Sequence, residues 1–233
     1  MSDETSTTAL TFREADTIWH EQGGWFDARW HFSFDRYRDP RQMGVGALRV
    51  FNDDRIVAGA EWPMHPHQDI ESLTYVVEGH FEHADSLGNG GRLQPGAAQV
   101  MTFSHQGDLH SEKNASPDEP MRFIQFWILP SAPGLETHVQ QRQYTIEDRT
   151  DRWLEIMGPA GTDGLELAQD ARALVAHLTD RGRLEHASDQ GEAAICTSSM
   201  AASRSMQTRS GRATRSRSVA PRTSRSRRRS RPS

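Results

Sequence analysis

The sequence predicts an all-β protein, either a barrel or a sandwich. Three observations support this prediction. Short runs are rich in β-branched and aromatic residues, the turns between them are rich in Gly, Pro, Asn and Asp, and almost no long stretch has the helical period of 3.6 residues. The chain has 233 residues, which is enough for one large domain or two small ones.

The predicted strands follow one another along the chain and are separated by turn signals. They occupy residues 47–51, 55–57, 72–77, 99–103, 121–129, 153–157 and 173–178. Turns or loops are predicted where Asn, Asp, Gly and Pro cluster, at 52–54, 85–91 and 94–96. The run 173–178 suits a helical turn equally well, because periodicity does not decide for so short a segment.

Formal charge divides the chain into two parts. Residues 193–233 contain 11 Arg and no acidic residue, whereas residues 1–192 have a formal charge of −16 and contain one lysine, Lys113. An acidic, lysine-poor surface suits high intracellular salt, and a GC-rich genome that favours Arg codons would explain it as well. Nucleic-acid binding by residues 1–192 is not expected, because it requires a basic surface.

Residues 193–233 form an Arg/Ser-rich tail with few large apolar side chains. Such a segment cannot bury enough surface to offset its chain entropy, so we expect it to be disordered. Three interpretations stay open: a basic arm for nucleic acid, an inert tail, or translation of GC-rich DNA out of frame. The complete loss of acidic residues after an acidic body favours the frame error.

The remaining composition favours a cytoplasmic protein. Residues 1–8 are polar and acidic, which predicts a flexible lead rather than a signal peptide. No run approaches the roughly 20 apolar residues that span a bilayer, so no membrane association is expected. Cys196 is the only cysteine, which excludes an intramolecular disulfide.

Two short runs carry the most informative side chains. His65-Pro66-His67 and His110-Ser111-Glu112 each place two metal-ligating residues two positions apart. Residues i and i+2 of a strand point to the same face, so each run is a pair of ligands if it lies on a strand. Two such pairs facing each other across a small barrel would form a site of three histidines and one carboxylate.

Such a ligand set indicates a metal site that is open to other molecules. Imidazole and carboxylate without thiolate suit Fe(II), Mn, Ni, Co, Cu or Zn, and they disfavour an iron–sulfur cluster. Four protein ligands on an octahedral ion leave two positions for substrate or dioxygen, whereas a structural zinc site is closed and usually contains Cys.

The residues around these runs resemble the two motifs of the cupin superfamily. Gly59, Glu71 and Gly79 accompany the first run, and Gly107 and Asn114 accompany the second. Within that superfamily, the similarity to the pirin family is specific and covers about residues 20–185. The segments that carry it are 30–35, 43–50, 65–71, 74–79, 83–91 and 110–112.

The pirin resemblance implies a bicupin fold, in which two β-barrels pack together and the N-terminal barrel holds the metal. It implies an N-terminal barrel at residues 9–130 and a partial C-terminal cupin domain at 131–192, because the similarity fades near Gly191. If the tail is out of frame, too few residues remain for the strands of a complete second barrel.

The resemblance also implies the ligands and the chemistry. The metal ligands would be His65, His67, His110 and Glu112, the metal would be Fe(II), and Glu71 would have a supporting or structural role. The family includes bacterial quercetin 2,3-dioxygenases, so the expected activity is a metal-dependent dioxygenase that acts with O2 on flavonol-like aromatic substrates. Glu112 would hold the metal and also accept the substrate proton.

Two other functions stay open. A mammalian member of the family is an iron-dependent transcription cofactor, which suggests a metal- or redox-sensing protein that binds a protein partner without turnover. A structural cupin without a metal is the third alternative.

Further residues near the two runs are assigned supporting roles. Residues predicted to lie in the core or the pocket wall are Trp62, Met64, Phe103 and Phe126. His83 is expected to support the loop 85–91. His105 stands where the family usually has a small residue, so the pocket shape and the substrate are expected to differ.

Overall fold

The computed structural model describes residues 11–187 and 192–198. Arg13–Cys196 form one compact unit. Its described residues contain 14 strands, two short 3-10 helices at Ala15–Thr17 and Glu147–Arg149, and no α-helix. The predicted lead 1–8 and most of the predicted tail 193–233 lie outside the described residues. No helix of the described part is long and apolar enough to cross a membrane.

The prediction of an all-β protein is confirmed. The strands are β1 (Trp19–Gln22), β2 (Phe26–Trp30), β3 (Leu48–Ile56), β4 (Glu61–His67), β5 (Ile70–Glu78), β6 (Phe81–Asp85), β7 (Gly90–Leu93), β8 (Ala97–Phe103), β9 (Asp108–Asn114), β10 (Met121–Ile128), β11 (His138–Gln143), β12 (Leu154–Pro159), β13 (Leu165–Leu167) and β14 (Ala173–Val175). The ambiguous run 173–178 therefore begins as a strand.

Two antiparallel sheets enclose the barrel interior. The larger sheet has the order β1-β2-β3-β10-β5-β8-β11, and the smaller has the order β4-β9-β6-β7. Side chains from the two sheets meet inside, as the rings of Phe81 and Phe123 show with centroids 5.2 Å apart. An apolar cluster fills one end of the barrel with Ile56, Val76, Phe81, Leu93, Ala97, Met121 and Phe123.

Strand β3 passes straight through residues 52–54, so the turn predicted there is wrong. Asp53 points out of the barrel and accepts hydrogen bonds from Arg122 Nε at 2.7 Å and Nη2 at 2.5 Å. Asn52 and Asp54 point inward and are buried. Turn-forming side chains stand in a strand here because the barrel supplies polar surroundings on one face and an arginine on the other, and this context outweighs local preference.

The residues after β10 add one strand to the barrel and a small sheet outside it. β11 pairs with β8, and the three-stranded sheet β13-β12-β14 packs on the outer face of the barrel. Ile156 and Met157 of β12 lie in one apolar cluster with Leu73, Tyr75 and Val100 of the barrel. The described residues do not close a second barrel, and the partial C-terminal cupin domain stays a prediction. The domain boundary at residue 130 stays a prediction.

Candidate metal centre

The two ligand-rich runs lie on neighbouring strands of the smaller sheet. β4 ends at His67, and β9 pairs with it so that His65 stands directly opposite His110. The pairs therefore lie side by side on one inner face, and the expectation that they face each other across the barrel is wrong. Side-by-side placement brings the rings together because opposite residues of antiparallel strands have their Cβ atoms about 5 Å apart.

The three histidines form a compact cluster. One ring nitrogen from each of His65, His67 and His110 lies within 4.8 Å of the others. Glu112 adjoins this cluster, with Oε2 3.8 Å from His65 Nε2 and Oε1 3.6 Å from His110 Nε2. Two atoms that bind one ion at about 2.1 Å lie at most about 4.2 Å apart. The separations of Glu112 from both histidines therefore suit a shared ion.

His67 and His110 are in the protonation state that metal binding requires. Burial lowers the pKa of His67 to about 4, and His65 nearby lowers it further. Burial also lowers the pKa of His110 to about 2, with smaller contributions from His67, His65 and His83. Both rings are thus neutral near pH 7. His67 Nε2 and both nitrogens of His110 are buried without a hydrogen-bond partner, so no group of the protein occupies the lone pair that each neutral ring can offer to an ion.

His65 is oriented by its own strand. Its Nδ1 lies 2.8 Å from the carbonyl oxygen of Pro63. A carbonyl only accepts, so Nδ1 carries the proton and donates it. In the neutral form of the ring, the lone pair is then on Nε2, the atom that faces Glu112. A hydrogen bond from the second ring nitrogen to a carbonyl is the usual way in which a ligating histidine is held.

Glu112 is a buried carboxyl with a single hydrogen bond. Its residue is 3% exposed. Burial raises the pKa of Glu112, while His65 and a hydrogen bond from Gln125 partly oppose that rise. Gln125 Nε2 donates to Oε1 at 2.6 Å across the barrel interior. Because Gln125 holds Oε1, the oxygen Oε2 remains for an ion or a substrate proton.

Aromatic rings border the cluster on the side of the larger sheet. The ring of His67 lies 4.6 Å from that of Trp127 and 4.9 Å from that of Phe103. Phe34 packs edge-on against Trp127 at 5.2 Å. These rings give the metal centre an aromatic wall, which suits an aromatic ligand.

Two turns form the rim beside the cluster. His105 Nδ1 lies 2.7 Å from Asp69 Oδ2, and Gln68 Nε2 donates to the His105 carbonyl at 2.6 Å. The His105 side chain is 70% exposed. The large residue at position 105 thus ties the turn after β4 to the turn after β8.

Glu71 lies outside the metal centre, as a structural role requires. It is on β5 and faces the small outer sheet, where its carboxylate accepts the backbone N–H groups of Ala168 at 2.8 Å and Gln169 at 3.2 Å. Burial raises the pKa of Glu71, and these two hydrogen bonds partly oppose the rise.

The prediction that His83 supports the loop 85–91 is wrong. Asp85 holds that loop by accepting hydrogen bonds from the backbone of Leu87 and Asn89. His83 instead faces the barrel interior opposite Glu112 and contacts Gln141. The alternation of β6 turns the His83 side chain inward, away from the loop. The Asp85 carboxylate, at the start of the loop, is placed to accept its backbone N–H groups.

The four residues predicted to lie in the core or the pocket wall have different positions in the structure. Phe103 is a buried wall residue beside His67 and His110, and Trp62 packs in an aromatic cluster with Trp25. Phe126 lies on the outer face of β10 against Phe51, so it is core and not pocket wall. Met64 is 46% exposed, so its assignment to the core or wall is wrong.

Sequence reasoning missed two residues at the centre, Gln125 and Trp127. Both lie on β10, in the run 121–129, and face the barrel interior. Along this face, Phe123 belongs to the apolar cluster, Gln125 comes next, and Trp127 contacts the histidines. A glutamine between the apolar residues Ile124 and Phe126 was the available signal, because a buried amide needs a polar partner.

An antiparallel barrel with a buried histidine cluster on its inner face defines a cupin-type protein whose site can hold a metal ion. The family model for Pirin matches residues 11–128. The chain belongs to the pirin family. It is 42% identical over 163 residues to a quercetin 2,3-dioxygenase of Escherichia coli, covering 69% of this chain and 68% of that protein.

Two further similarities agree with this family. A pirin-like protein of Caulobacter vibrioides is 40% identical over 157 residues, which are 66% of this chain and 67% of that protein. The crystal structure of the bacterial pirin YhhW from Escherichia coli in complex with nickel(II) matches with a TM-score of 0.65 and 39% identity, over 70% of this chain and 69% of that chain.

Proposed function

We propose that the chain is a metal-dependent dioxygenase of the quercetin 2,3-dioxygenase type, acting with O2 on flavonol-like substrates. The observation that carries the proposal is the cluster of three histidines, two of them held neutral by burial, beside a buried carboxylate and an aromatic wall. The names of the similar proteins point the same way.

The proposed ligands are His65, His67, His110 and Glu112. Their donor set fits a divalent ion, for which we propose Fe(II), and the bound ion would supply Lewis acidity toward a substrate hydroxyl together with redox chemistry. Trp127 and Phe103 would stack on the flat substrate and keep water out. Glu112 Oε2 would accept the hydroxyl proton, since Gln125 holds the other oxygen.

In the proposed reaction, one dioxygen adds to the flavonol, the central ring opens and one carbon leaves as carbon monoxide. Both oxygen atoms enter the products, so no external reductant is needed. The substrate is then a small aromatic molecule with a hydroxyl group next to a ring carbonyl.

Metal analysis combined with a flavonol assay tests the proposal. The purified protein should bind about one ion per chain and remove flavonol absorbance under O2, and His65→Ala should abolish both. The matched control is His138→Ala, because His138 is exposed on β11 and does not belong to the histidine cluster. Bound metal without turnover across a flavonol panel would reject the substrate and favour a metal-sensing protein with a protein partner.

A further inference from the structure

A continuous band of polar side chains crosses the barrel interior at the level of Glu112. Register places these residues in one row across the larger sheet, where Asn52 pairs with Gln125, Gln125 with Thr74, Thr74 with Gln99, and Gln99 with Gln141. We call this row, together with Glu112 and His83, the polar belt.

The smaller sheet closes the polar belt into a ring. Glu112 and His83 stand opposite each other on β9 and β6. Gln125 Nε2 donates to Glu112 Oε1 at 2.6 Å on one side. On the other side, Gln141 Nε2 lies 2.5 Å from His83 Nε2. These two contacts join the sheets, so the belt surrounds the interior between the histidine cluster and the apolar end.

Several polar atoms of the belt point inward without a partner. Gln99 Nε2, His83 Nδ1 and Asn52 Oδ1 are buried and make no hydrogen bond within the protein. Each of the three residues is 2% exposed. Because the Gln141 amide donates to His83 Nε2, the proton of the neutral imidazole is on Nδ1. The interior therefore offers two donors and one acceptor.

We propose that the polar belt is a binding site for ordered water beneath the metal centre. Water molecules accept from Gln99 Nε2 and from His83 Nδ1 and donate to Asn52 Oδ1, and the other polar side chains of the belt supply further partners, since a buried water typically has two to four. The proposal is independent of the proposed function, because water binding requires neither metal nor turnover.

The hydrated belt connects the metal centre with the outside of the barrel. Gln141 is exposed and lies on β11, the last strand of the larger sheet, beside Gly91 of β7, the last strand of the smaller sheet. With water bound at His83 Nδ1, the belt would link the region of Glu112 through His83 and Gln141 to this seam. It is separate from the rim formed by the turns after β4 and β8.

Isosteric substitutions distinguish a hydrated belt from a dry one by the sign of their effect. In a hydrated belt, Gln99→Met and Asn52→Leu remove partners of the bound water, and each should lower Tm by about 3–6 °C. In a dry belt, the same changes remove an unsatisfied polar atom and should leave Tm unchanged or raise it. The control is Gln94→Met, on an exposed turn, with no expected shift.

A crystal structure of the wild-type protein at better than about 2 Å provides a second test that requires no variant. Ordered water oxygens should lie within about 3.2 Å of Gln99 Nε2, His83 Nδ1 and Asn52 Oδ1. An interior without water density at these atoms, or Tm values that are unchanged or raised in both variants, would overturn the proposal.

Discussion

The hydrogen bond from Gln125 to Glu112 makes a quantitative prediction about metal affinity. Gln125→Leu keeps the volume of the side chain and removes the donor 2.6 Å from Oε1. Glu112 is 3% exposed, so water does not readily replace the lost donor. The carboxylate then loses the contact that orients it toward His65 and His110.

The expected loss follows from the energy of this contact. A hydrogen bond to a charged group contributes about 1.5–3 kcal/mol. Loss of a group that orients a metal ligand typically weakens binding by about 10- to 100-fold, which corresponds to about 1.4–2.7 kcal/mol. The two ranges agree, so we expect Gln125→Leu to raise the Kd for Zn(II) or Ni(II) by about 10- to 100-fold.

Competition with a chromophoric chelator measures this Kd without any turnover. The control is Gln94→Leu, which makes the same change on an exposed turn, and its Kd should match that of the wild type. Thermal melts of the metal-free proteins check that Gln125→Leu is folded. A folded Gln125→Leu protein with a Kd within twofold of the wild type would refute the assignment of Glu112 as an oriented ligand.

Three further substitutions test other parts of the structure. Glu71→Gln weakens the acceptor of two backbone N–H groups and should lower the free energy of unfolding, as measured by urea melts, by about 1–3 kcal/mol. An unchanged metal content of this variant would confirm that Glu71 is not a ligand. Burial lowers the pKa of His31 to about 4. Between pH 6.5 and 4, His31 is therefore protonated in the unfolded state and neutral in the folded state. The free energy of unfolding of the wild type consequently falls as the pH falls through this window. Relative to wild type, His31→Phe should therefore gain up to about 1.4 kcal/mol per pH unit across that window in urea melts, and parallel curves would contradict the burial of this ring. Gly79→Ala places a Cβ 2.7 Å from Met121 Cα and from the Pro120 carbonyl oxygen at φ +80°, so Tm should fall by several degrees, whereas Gly88→Ala, with open space around it, should cost less.

The ligand pairs were predictable from sequence because they depend only on local alternation. His65 and His67 share a face on any strand, and so do His110 and Glu112. The pairing of β4 with β9 depends instead on a contact between residues about 45 positions apart, which no local pattern encodes. The side-by-side arrangement therefore required the structure.

The polar belt illustrates the opposite case, in which local signals mislead. Asn52 and Asp54 are typical turn residues, and the sequence offers no sign that they face a polar interior. Gln99, Thr74 and Gln125 stand in runs whose other members are mostly apolar, so each looks like an isolated exception. Only the register across several strands shows that these exceptions lie in one row.

The choice between Glu71 and Glu112 depends on where the chain changes sheets. Glu71 follows His67 by four residues, so extrapolating the alternation of β4 would place it on the ligand face. Asp69, with φ +51°, stands in the turn that carries the chain from the smaller sheet to the larger one, and this turn resets the alternation. The inward residues of β5 are consequently even-numbered, including Thr74, while Glu71 points out toward the backbone of Ala168. Glu112 needs no such extrapolation, because it shares β9 with His110.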